Sequence, residues 1–118
     1  MRRPAIVIVT YKRQALLSAL LESILNLTVA PWRIVVVDNE NSPATSELVA
    51  AFAARAQKQW GDTDDDPDAE GGSSRVIYMP MDKNTGGSGG FSKGIQRAYE
   101  LGAEWFWTMD DDVAVMPD

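Results

Sequence analysis

Four short apolar runs alternate along this chain with three stretches of helical periodicity. Ala5-Ile6-Val7-Ile8-Val9 is continuous, mostly β-branched and short, which predicts a strand buried on both faces with Thr10-Tyr11 at its carboxyl end. Leu16, Leu17, Leu20, Leu21, Ile24 and Leu25 recur at helical spacing and predict an amphipathic helix over 14–27, which Pro31 cannot continue. Ile34-Val35-Val36-Val37 predicts a second buried strand ending on Asp38-Asn39. Ser42-Pro43 is a helix start, Ser capping and Pro at the first helical position, with Leu48, Val49, Phe52 and Ala53 inward through about residue 60. Residues 61–74 are Gly, Asp, Ser and Pro with little to bury, which predicts a disordered, mobile acidic loop. Arg75 to Met79 predicts a third strand. Asn84-Thr85-Gly86-Gly87-Ser88-Gly89-Gly90 predicts a glycine loop opening a helix with Phe91, Ile95, Ala98 and Tyr99 inward and Gly102 as its C-terminal cap. Trp105-Phe106-Trp107-Thr108-Met109 predicts a fourth buried strand, running directly into Asp110-Asp111-Asp112.

The order β-α-β-α-β-α-β implies an α/β fold: a Rossmann-like parallel sheet with right-handed crossovers and helices on both faces, forming one domain over 1–118. Each strand delivers a polar group at its carboxyl end: Thr10, Asp38, Asp82 or Asn84, and Asp110. In open α/β sheets those ends share one edge, where ligands bind.

Composition narrows the chemistry. The chain of 118 residues has no Cys and no His, which removes disulfides, thiolate or imidazole metal sites and Cys- or His-based catalysis within it. The absence of Cys is consistent with a cytoplasmic setting. The apolar run after Met1-Arg2-Arg3 is too short for a signal peptide or a membrane span. The net charge of −6 is concentrated in Asp62, Asp64, Asp65, Asp66, Asp68 and Glu70; without them the acids and bases balance at 11 each. No basic patch suggests nucleic-acid binding.

Three adjacent aspartates at the tip of a buried strand repel one another unless solvated or neutralised by a cation, and their all-oxygen donor set suits a hard divalent ion. Asp64-Asp65-Asp66 is the internal contrast: the same tripeptide, but in a polar stretch with no strand before it, and so a solvated triplet. Four glycines in five residues, Gly86, Gly87, Gly89 and Gly90, let backbone N–H groups approach phosphate or sugar oxygens closely. The segment departs from the dinucleotide fingerprint, because Ser92 stands where the third Gly belongs, and from a P-loop, because no Gly-Lys-Ser/Thr follows. An EF-hand from Asp82 fails at Lys93, its twelfth position. Asp38 at a strand end can accept from a uracil or thymine ring N–H or a ribose hydroxyl, or it can cap an ordinary turn leading to Pro43. Tyr11 can pack on a base and Arg13 can meet a phosphate.

Val9-Thr10-Tyr11-Lys12-Arg13, Val37-Asp38-Asn39 with Ser42, Asn84 with Gly86-Gly87 and Gly89-Gly90-Phe91, and Asp110-Asp111-Asp112 together resemble the family 2 glycosyltransferases of GT-A fold. The similarity is to the galactofuranosyltransferases and rhamnosyltransferases of cell-envelope synthesis, and the glycine segment with the DXD-type triplet resembles the galactofuranosyl branch. It covers nearly the whole chain outside 61–74. The resemblance implies a metal-dependent inverting transfer of galactofuranose or rhamnose from a UDP- or dTDP-sugar to a glycan or lipid-linked acceptor. It implies that Thr10, Tyr11, Arg13 and Asp38 line the nucleotide end, and that Asn84, Gly86, Gly87, Gly89 and Gly90 meet the ribose, diphosphate or sugar. Asp110 and Asp112 would hold Mn²⁺ or Mg²⁺, with Asp111 towards the sugar. Family members carry their acceptor site and general base after the metal motif. The resemblance therefore implies that 1–118 is the donor-binding half of a longer enzyme, truncated after that motif, with its base beyond Asp118 and no turnover alone. The full enzyme would be cytoplasmic, at the inner face of the cytoplasmic membrane. The alternatives are a non-catalytic nucleotide-sugar-binding domain, a Rossmann-like oxidoreductase or phosphotransfer domain, and a protein-interaction module. The oxidoreductase needs a glycine fingerprint, and the phosphotransfer domain an acidic pair, where Thr10-Tyr11-Lys12-Arg13 stands.

Overall fold

The computed structural model describes residues 3–65, 68, 72–82 and 86–110, without the side chains of 86–88 and 110. Seven elements alternate: β1 (Pro4–Thr10), α1 (Gln14–Leu25), β2 (Arg33–Asp38), α2 (Pro43–Trp60), β3 (Val76–Pro80), α3 (Gly86–Leu101) and β4 (Trp105–Asp110). The strands form one parallel sheet in the order β3-β2-β1-β4. This is the expected Rossmann-like α/β architecture.

Side chains alternate across a strand, so each apolar run supplies two cores. Ile6, Ile8, Ile34 and Val36 face Leu17, Leu20, Leu21 and Ile24 of α1 and Val49, Phe52 and Ala56 of α2. Ala5, Val7, Val9, Val35 and Val37 face the other way, against Ala98 and the half-buried Phe91 and Ile95 of α3. Ser42 caps α2 as expected, its hydroxyl accepting from the Ala44 N–H at 3.2 Å with Pro43 beginning the helix.

Helix α3 approaches the sheet along a line of small residues four apart, Gly90, Gly94 and Ala98. A Cβ on Gly94 would lie 2.5 Å from Val7 Cγ1 and 2.9 Å from Val37 Cγ2. That close line rotates the next position outward, so Tyr99, expected inside, is 71% exposed. Leu16, also expected inside, is exposed, and α1 ends at Leu25 rather than 27. β4 differs as well. It is an edge strand, and Trp105 and Trp107 are 55% and 52% exposed rather than buried.

The acidic stretch also differs from expectation where it is described. Asp65 is half-buried and paired rather than freely solvated. Its carboxylate accepts from Trp32 Nε1 (3.0 Å), Arg33 Nη2 (2.9 Å) and Thr63 Oγ1 (3.1 Å). The carbonyls of Gly72 and Ser74 accept from the same guanidinium. Residues 66, 67 and 69–71 lie outside the described residues.

Candidate functional site

The sheet register sets the geometry of the carboxyl edge. Thr10 pairs with Asp38, Val9 with Asp110, and Asp38 with Pro80. The tips of all four strands therefore lie side by side. Helix α3 begins over the middle of this row: a Cβ on Gly90 would meet Val9 Cγ1 at 2.8 Å and Asn39 Nδ2 at 3.2 Å. Thr10, Asp38, Gly89, Gly90 and the backbone of Asp110 are thus brought together.

The glycine segment is not a loop over its described part. Gly86 to Gly90 form the first turn of α3. Glycine costs about 1 kcal/mol per position in a helix relative to Ala. At Gly90 and Gly94 close packing on the sheet offsets that cost. The first N–H groups of a helix have no intrahelical acceptor, and they carry the positive end of the helix dipole. Gly90 sets this terminus beside the ends of β1 and β2, so the segment expected as a loop is a helix terminus.

Two tight turns complete the edge. After β1, Tyr11 and Arg13 are exposed, and Lys12 takes a positive φ of 55° with its ammonium 5.2 Å from the Tyr11 ring centroid. After β2, Asn41 takes φ 54°, and the Asn39 N–H donates to the Thr10 carbonyl at 3.0 Å. The Gln14 amide ties the two together, donating to Glu40 Oε1 and Thr45 Oγ1, each at 3.1 Å. Left-handed backbone at non-glycine residues is strained by about 1–3 kcal/mol and concentrates at ligand sites.

Among the expected nucleotide-end residues, Tyr11 and Arg13 are exposed, whereas Thr10 and Asp38 are buried. Asp38 holds the turn leading to Pro43, the second of its two readings. Its Oδ1 accepts from the Glu40 N–H at 2.9 Å; its Oδ2 accepts from the Ser42 N–H at 3.0 Å and from the Tyr78 hydroxyl at 2.5 Å. Tyr78 carries no motif signal. It sits on β3 opposite Val36, on the face that Val36 shares with Asp38, and is long enough to span the two-residue offset. Burial first, and then the Asp38 hydrogen bond, push its phenol far above the ordinary tyrosine range.

Asn84, Asp111 and Asp112 lie outside the described residues, as does the side chain of Asp110. Among the described residues no group of three acidic side chains is gathered to hold a metal. The fit of a hard cation therefore rests on the placement of the Asp110 backbone at the strand tip beside Val9 and on the oxygen chemistry of the triplet. A separate cleft of about 640 Å³ lies at the opposite end of the strands, among Arg3, Trp32, Asp65, Arg75 and Glu104. Its arginines serve the fold: Arg75 donates to the carbonyls of Pro31, Gly61 and Asp62.

A parallel sheet flanked by helices, with a helix N-terminus at its carboxyl edge, defines the Rossmann-like class of α/β domain, in which ligands bind beyond the strand ends. Within that class, the model of Glycosyl transferase family 2 matches residues 5–118, and the chain belongs to that family. It is 33% identical over 106 residues to galactofuranosyltransferase GlfT1 of Mycolicibacterium smegmatis, a match spanning 90% of this chain and 28% of that protein. With GlfT1 of Mycobacterium tuberculosis it shares 32% over 109 residues, 90% of this chain and 29% of the relative. The chain thus spans under a third of the length of these relatives. Among solved structures, the mannosyltransferase PcManGT of Pyrobaculum calidifontis, in complex with GDP-Man and Mn²⁺, superposes with a TM-score of 0.70 at 17% identity, covering 97% of this chain and 29% of that one. S. aureus TarS in complex with UDP gives 0.67 at 17% identity over 95% and 28%. These likenesses show the fold. No helix among the described residues is long and apolar enough to cross a membrane.

Proposed function

We propose that the chain is the donor-binding part of a metal-dependent, inverting galactofuranosyltransferase that uses UDP-galactofuranose and a cell-envelope glycan or lipid-linked acceptor, at the inner face of the cytoplasmic membrane. The observation that carries this reading is the meeting of the β1, β2 and β4 tips with the start of α3 at one edge. The relatives named as galactofuranosyltransferases favour this sugar, and hence UDP, over rhamnose and dTDP.

Tyr11 packs on the base, and Arg13 meets the diphosphate. Thr10 and Asp38 shape the nucleotide end. The N–H groups of Gly86, Gly87, Gly89 and Gly90 donate to diphosphate or sugar oxygens, with Asn84 beside them. Asp110 and Asp112 would hold Mn²⁺ or Mg²⁺, which when bound neutralises the diphosphate and stabilises the departing nucleotide. Asp111 lies towards the sugar. An acceptor hydroxyl displaces the nucleotide at the anomeric carbon with inversion. Turnover by these 118 residues alone is not expected, because the family resemblance assigns none of them as general base.

Calorimetry in the presence of Mn²⁺ tests this reading. UDP-galactofuranose should bind at least about tenfold more tightly than dTDP-rhamnose, a preference of about 1.4 kcal/mol. With an acceptor glycan added, no glycosylated product should form. Equal affinity, or no binding of either donor, defeats the donor assignment, and product formation defeats the assignment of the base.

A further inference from the structure

We propose that Asp38 serves the nucleotide end of this site by positioning rather than by contact, and that Tyr78 is the residue that locks it. The inference rests on the donor-site reading above.

A carboxylate has room for about four donors. Three places on Asp38 are filled by the fold itself: the Glu40 N–H, the Ser42 N–H and the Tyr78 hydroxyl. The residue is 0% exposed, so a base has no path to the remaining lone pair. Its backbone is engaged as well, the carbonyl accepting from the Met81 N–H at 2.9 Å. Asp38 therefore joins three segments: the turn before α2, the end of β3 and the chain leaving β3. The expectation that this carboxylate accepts from a uracil ring N–H does not fit a group so enclosed.

What Asp38 holds is the Asn39–Ser42 turn. That turn lies between the exposed Tyr11 loop and the start of α3, with Asn39 against Gly90 and Glu40 tied to Gln14. Its placement sets the width of the space between the β1 loop and the helix terminus. Tyr78 closes the far side of Asp38 from the neighbouring strand. Because its phenol stays protonated well above the ordinary range, it is a permanent donor to that carboxylate. The base then meets Tyr11 and the 39–41 turn, and Asp38 acts through them.

The test is a two-by-three comparison by calorimetry in Mn²⁺, with UDP and N3-methyl-UDP against the wild-type chain, Tyr78→Phe and Asp38→Asn. N3-methylation removes the ring N–H that a direct carboxylate contact would need. Positioning predicts that each variant binds UDP weaker by about tenfold, as a small displacement of a binding turn does. It also predicts that the ratio of UDP to N3-methyl-UDP affinity stays as in the wild type. Thermal melts run in parallel identify folded variants, and if Asp38→Asn fails to fold, Tyr78→Phe decides alone. A folded Tyr78→Phe chain with wild-type UDP affinity overturns the lock. An Asp38→Asn chain that loses UDP affinity but keeps that for N3-methyl-UDP shows direct contact and overturns positioning. A wild-type chain that binds no UDP overturns the donor-site reading itself, and this inference with it.

Discussion

Arg33 is a charged side chain in a place where charges are costly. The residue is 1% exposed, and its guanidinium lies 5.0 Å from the Trp32 ring centroid while donating to Asp65 and to two backbone carbonyls. A buried ion is tolerable when paired, and removing one partner of a buried pair costs about 3–5 kcal/mol. Asp65→Ala should therefore destabilise the chain by about 3 kcal/mol in urea denaturation, and an unchanged midpoint would contradict this. Burial opposes ionisation of Asp65, but the hydrogen bonds from Arg33, Thr63 and Trp32 outweigh it and hold the carboxyl below its ordinary value. The sign follows: the stabilisation is complete above the unfolded aspartate value, about pH 3.9, and is lost as pH falls through the lower folded value. Melts in acid should show this loss in the wild type and its absence in Asp65→Ala. None of this is legible locally. Arg33 reads as the start of a strand and Asp65 as part of a solvated triplet, and a pair 32 residues apart leaves no periodic trace.

At the scale of elements, apolar runs and helical spacing identify all seven, because each periodicity answers to one buried face. Two features escape that logic. A continuous apolar run does not distinguish a central strand from an edge strand, so β4 carries exposed tryptophans where burial is expected. A glycine cluster does not distinguish a loop from a helix that must lie close to a sheet, and α3 is the latter. Gly94, in no motif, is the sharpest case. On an exposed helix Gly→Ala gains about 1 kcal/mol. Here the added methyl meets Val7 and Val37 inside ordinary contact distance, and overpacking costs about 1–3 kcal/mol. Gly94→Ala should lower the melting temperature, and a rise would contradict the close approach of α3.

The whole molecule places its two ends to different uses. At the amino ends of the strands, arginines and acids are consumed in closing the loop after α2. At the carboxyl ends, tight turns, a helix terminus and the Asp110 backbone are left facing one another. The candidate site is legible in the sequence as a set of strand-end polar residues, since topology alone puts them on one edge. Which of them a ligand can touch is not legible, because the enclosure of Asp38 depends on Tyr78 and on the turn that follows β2. The central claim concerns location, and amide chemical shifts of the ¹⁵N-labelled chain titrated with UDP and Mg²⁺ test it directly. Saturable shifts should cluster at residues 10–13, 38–42, 86–90 and 110. Shifts confined to Arg3, Trp32, Asp65 and Gly102 at the opposite edge, or none that saturate, would contradict it.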